Sequence, residues 1–90
     1  MELKIFKVGS KSEPAKLAGA IAGTINEGDT IRLECIGAGA ISAAVKGVAT
    51  ARGFLISSGI ELSMQPHFRD VDLDGETKTS VAFNILTYES

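Results

Sequence analysis

The sequence predicts a two-layer α/β fold. Its elements run β-α-β-α-β-β, with a mixed four-stranded sheet and both helices on one face. Three observations carry that prediction. Short β-forming or alternating stretches occur at Leu3 to Val8, Thr30 to Ile36, Ile60 to Met64 and Thr79 to Tyr88. Apolar residues recur at helical spacing at Leu17, Ile21 and Ile25, and again at Ile41, Ala44, Val45 and Val48. Glycine, proline and Asp-Gly signals separate these stretches. The 90 residues make one domain, 1–90, with no repeat, linker or low-complexity tract.

The first strand, Leu3 to Val8, ends at Gly9. A polar loop through Glu13 follows, in which Ser12 is suited to cap a helix and Pro14 to open one. The helix runs to Asn26 and stops at Gly28. It carries Gly19 and Gly23, each costing about 1 kcal/mol against alanine in a helix interior. Close approach to a sheet or to a second subunit would offset that cost.

In the second strand, Ile31, Leu33 and Cys35 face one way and Arg32 and Glu34 the other, the pattern of a half-buried strand with a solvated outer face. Gly37-Ala38-Gly39 turns the chain into a helix from Ala40, with Arg52 in its last turn and Gly53 as its stop. The third strand, Ile60 to Met64, is interrupted by Pro66, which implies an edge position or a bulge. Asp74-Gly75 turns into the last strand. The two β-α-β crossovers, if right-handed, place both helices on one side of the sheet.

Composition excludes several function classes. Nine basic residues against eleven acidic give a net charge of −2, so there is no general electrostatic grip on nucleic acid or anionic membrane. The aromatic content of 6%, with no Trp, makes a poor base-stacking platform. The single cysteine cannot form an intrachain disulfide. No apolar run reaches the length of a membrane span and no basic-then-apolar leader opens the chain, so a cytoplasmic protein is expected.

Chemistry-bearing residues are few. His67 is the one histidine and has no partner at a recognisable spacing, so it reads as structural or exposed. Cys35 reads as a buried, inert thiol. Asp70-x-Asp72-x-Asp74-Gly75 imitates the start of a calcium loop, but Val81 stands where the bidentate Glu belongs. No metal site, no catalytic residue, no enzyme activity and no small-molecule cofactor are expected. The informative stretch is Gly37-Ala38-Gly39-Ala40-Ile41-Ser42. Its glycines bring backbone N–H groups to a helix N-terminus, which suits an anion. The first two strands being parallel, the Lys11 loop lies at the same sheet end. Lys11 and Lys16 are therefore placed to flank the turn as a modest phosphate site, with Lys46 further along the second helix.

Several stretches resemble the stage V sporulation protein S family. They are Lys7 to Pro14, Leu17 to Gly23, Ile36 to Lys46, Ala51 to Phe54 and Asp74 to Thr79. Ser42 stands where Asn is usual, and Ser80 where Ala is usual. That family is in turn similar to the Alba group of small nucleic-acid-binding proteins, which share this element order and commonly dimerise. Val8-Gly9-Ser10-Lys11 resembles the Alba first loop, where a lysine pair contacts the nucleic-acid backbone; Lys11 keeps one of the pair and Ser10 replaces the other. Gly37 to Ser42 resembles an R-G-R-A-I-S stretch with both arginines replaced, at Gly37 and Gly39. The long basic hairpin of Alba here carries Asp70, Asp72, Asp74 and Glu76.

The resemblance implies an Alba-like fold, a homodimer, and a regulatory role in sporulation or cell division. It also implies contact with nucleic-acid phosphates, DNA or RNA, through Lys11, Lys16, Gly37, Ala38, Gly39 and Lys46. The alternative is a protein-protein interaction module that has lost nucleic-acid binding.

Overall fold

The computed structural model describes residues 1–89. Its elements are β1 (Leu3–Val8), α1 (Pro14–Asn26), β2 (Thr30–Cys35), α2 (Ala38–Leu55), a single 3₁₀ turn (Ile56–Ser58), β3 (Ile60–Leu73) and β4 (Glu76–Glu89). The sheet order is β1-β2-β4-β3, with β1 and β2 parallel and the other pairs antiparallel. The predicted α/β class and element order hold.

Alternation decides which face is buried. Ile31, Leu33 and Cys35 of β2 and Phe83 and Ile85 of β4 meet Ala18, Ile21 and Ile25 of α1 and Ala44, Val48 and Leu55 of α2. The other face of the sheet carries no helix. Helix α1 ends in a Schellman motif: Gly28, at φ +86°, donates its N–H to the Ile25 carbonyl, and Asp29 donates to Thr24.

Four local expectations are corrected. Ser12 does not cap α1; Glu13 stands at the cap, and the Ser12 hydroxyl instead accepts the Gly9 N–H at 3.0 Å, closing the loop on itself. Helix α2 starts two residues earlier than expected, at Ala38, and runs through Gly53 to Leu55. Burial of Leu55 holds that last turn, and the left-handed Gly59 ends the segment. The buried face of α2 is made of Ala40, Ala43, Ala44, Gly47, Val48 and Ala51, leaving Val45 exposed. Small residues let α2 lie close: a Cβ at Gly47 would sit 2.9 Å from Leu17 of α1. Finally, Pro66 does not interrupt β3. The strand continues because it is an edge strand, where a missing N–H costs no ladder bond on the open side.

Two broader readings also change. Gly19 and Gly23 have nothing within 4 Å of an added Cβ, so close approach to the sheet does not explain them. Ala38–Ser58 is, by length and composition, long and apolar enough to cross a membrane, contrary to the reading of the sequence. In the fold, its apolar face is the inner face of α2, packed in the core.

Candidate nucleic-acid interface

The carboxyl ends of β1 and β2 point the same way, so the loops that follow them emerge side by side. They touch. A Cβ built on Gly39 would lie 2.9 Å from Cβ and 3.3 Å from Cα of Ser10. Glycine at position 39 is what lets the second loop pack on the first. Gly37 caps α2 at φ +91°, a conformation that side chains disfavour. No side chain caps α2. The first-turn N–H groups at Ala38 and Gly39 therefore have no side-chain cap.

Of the six expected site residues, Gly37, Ala38 and Gly39 form the turn that packs on Ser10, and Lys11 is the next residue of the first loop, exposed at the same sheet end. The other two do not join them closely. The Lys16 Nζ lies 3.5 Å from the Glu13 carboxylate, in an exposed i,i+3 pair. Lys46 is exposed on α2, eight residues beyond Ala38 and so about 12 Å down the helix axis. Neither Lys11 nor Lys46 has an ion-pair partner among the described residues.

Beyond β2, strands β3 and β4 continue as a two-stranded arm closed by Asp74, at φ +52°, and Gly75, at φ +81°. Register separates its two sides. Asp70 pairs with Thr79 and Asp72 with Thr77 on the side that faces the helices, and each aspartate accepts a threonine hydroxyl. Phe68, 80% exposed, shares that side. Arg69, Val71 and Leu73 alternate onto the opposite side, with Lys78 and Ser80.

That opposite side joins the helix-free face of the sheet, where a cluster lies that sequence reasoning missed. Glu34 Oε2 is 3.4 Å from the Nε atoms of both Arg32 and Arg69. The side chains of Arg32 and Glu34 are only 17% and 14% exposed, so this is not the freely solvated face expected. Alternation placed Arg32 and Glu34 on one face, but nothing in the sequence announced that a β3 arginine would reach β2.

The remaining singled-out residues are quieter. Cys35 is fully buried, and burial pushes its thiol pKa up. His67 is half-buried opposite Ala82. Arg52 donates to Glu61 of β3 through one guanidinium edge, Nε to Oε1 and Nη2 to Oε2, the latter at 2.9 Å. Hydrogen bonding and charge from Arg52 hold the Glu61 carboxyl below its ordinary pKa. Among the described residues no group of three or more His, Cys, Asp or Glu is placed to hold a metal ion.

Comparison with known proteins agrees with this geometry. Alba from Thermoplasma volcanium superposes with a TM-score of 0.62 over 97% of this chain and 100% of that one. At 18% identity, that likeness establishes the fold, which is Alba-like. The model of the stage V sporulation protein S family matches residues 4–88, a span that takes in both loops, both helices and the arm. The chain belongs to the stage V sporulation protein S family.

Proposed function

We propose that this chain is a small cytoplasmic regulatory protein, a homodimer, that binds nucleic acid through backbone phosphates in the control of sporulation or cell division. The observation that carries the reading is the packing of the Ser10-Lys11 loop on Gly39 at the uncapped N-terminus of α2. A helix N-terminus with free N–H groups favours an anion, and Lys11 adds an unpaired positive charge beside it. Such contacts position a phosphate and carry no base sequence. Binding is weak, because the loops present few cations. Lys16 and Lys46 add charge at the periphery. No catalytic step, metal or cofactor enters this reading.

A second reading, a protein-interaction module without nucleic-acid binding, draws on a different observation. The outer side of α1 is small and unpartnered at Gly19, Ala20 and Gly23, which suits packing against another chain.

Fluorescence anisotropy with labelled duplex DNA, single-stranded DNA and RNA, at about 50 and about 200 mM salt, tests the first reading. Binding should weaken with salt. Lys11→Ala should weaken it further and flatten the log–log salt slope by about 0.7 to 0.9, the loss of one phosphate contact. No binding to any of the three at low salt would sink the reading in favour of the second. Sedimentation as a strict monomer would count against the dimer.

A further inference from the structure

The helix-free face of the sheet concentrates positive charge on a chain whose net charge is −2. Register places Lys7, Arg32, Arg69 and Lys78 on it. Three carboxylates share the face. Glu61 is taken by Arg52, Glu76 sits at the arm tip beside the turn, and Glu34 alone stands within the cluster, paired in register with Lys7 and flanked by both arginines. One carboxylate thus answers three cations. The Nε groups of Arg32 and Arg69 are buried and make no hydrogen bond, an uncommon state for buried donors.

The arm also coils across the ends of β1 and β2. Lys7 and Val8 of one edge strand and Val71 and Leu73 of the other line the same groove, of about 120 Å³. Asp72 touches its rim, with one carboxylate oxygen already occupied by Thr77. Further along the same face, Leu3, Ile5 and Tyr88 are about half exposed.

We propose that Lys7, Arg32, Arg69 and Lys78, with this groove, form an anion-binding face that takes the phosphodiester backbone of a single-stranded nucleic acid. Charge complementarity selects the polyanion. A groove of about 120 Å³ has room for a phosphodiester group and none for a duplex. Exposed Tyr88 and its aliphatic neighbours offer surface to unstacked bases. Asp70 faces the other way, and Asp72, at the rim of the groove, has one carboxylate oxygen taken by the Thr77 hydroxyl. The inference rests on the nucleic-acid reading for its ligand class but assigns a different surface.

A ¹⁵N-edited NMR titration with a single-stranded oligothymidylate of about six nucleotides separates the two. Anisotropy on Lys7→Glu, Lys78→Glu and Arg69→Gln accompanies it; both lysines are exposed, so folding should survive. Shifts at the amides of Lys7, Arg32, Arg69 and Ser80, with affinity lowered about fivefold or more by each lysine reversal, are the expected result. Shifts confined to Ser10, Lys11 and Gly37 to Gly39, with the three variants binding as the parent does, would overturn this inference and leave the loop-end site standing. No shift anywhere would overturn both.

Discussion

Strands β3 and β4 live two lives. In one half of the hairpin, Leu62, Phe83 and Ile85 lie under the helices and are buried. In the other half, from Arg69 and Ser80 to the turn, the same two strands keep their pairing, yet almost every side chain is open to solvent. The backbone ladder is continuous across both halves. What changes is the cover: helices over one, nothing over the other. The body therefore holds the apolar burial that stabilises the fold, while the arm is free to sort its charges, aspartates on one side and cations on the other.

The sharpest way to break that comparison is to truncate one aliphatic side chain in each half. Leu62→Ala, at a site only 6% exposed, should cost about 2–5 kcal/mol in urea unfolding. Val71→Ala on the arm should cost under about 1 kcal/mol, since the half-exposed Val71 loses little burial. Equal losses would mean that the arm belongs to the cooperative core.

A smaller effect separates the glycines. Gly39→Ala forces a Cβ against Ser10 and should destabilise by about 1–3 kcal/mol, read as a lower melting temperature. Gly19→Ala meets nothing and should stabilise the chain by about 0.5–1 kcal/mol. If Gly19→Ala instead disrupts self-association in sedimentation, the open side of α1 is an interface between copies.

The smallest effect is in pH. Burial raises the Cys35 thiol pKa in the fold, so the unfolded thiol ionises first. Stability from this group is full below about pH 8.5, the ordinary thiol value, and is lost as the pH rises through the raised folded value. Cys35→Ala should unfold without that alkaline decline, and in the parent a thiol reagent should react only as fast as the chain opens.

Much of this was legible in the residues. Ile31, Leu33 and Cys35 announced their buried face by alternation, and Gly28 its left-handed stop. The placing of the Lys11 loop and the Gly37 to Gly39 turn at one sheet end followed from two parallel strands. Other features were out of reach. Ser12 has the chemistry of a cap, but its hydroxyl is taken by the Gly9 N–H three residues back, and no periodic signal marks that bond. Pro66 pointed to an edge position or a bulge, but the choice of the edge and the extension of β3 beyond it were decided only by the order β1-β2-β4-β3.

The division has a physical reason. Period, capping glycines and turn residues act within a few positions of one another, so the sequence by itself determined the elements, their order and the inner faces of β2 and α1, while the inner face of α2 was set by close packing of its small residues. Register and coiling arise between strands distant in the chain. They brought Arg69 to Glu34, laid Ser10 on Gly39 and turned the acidic side of the arm away from the cationic one. Those decisions belonged to the tertiary structure: the Asp74-Gly75 turn fixes the register within the hairpin, but no local rule fixes how the hairpin lies against β2 or how the first two loops meet.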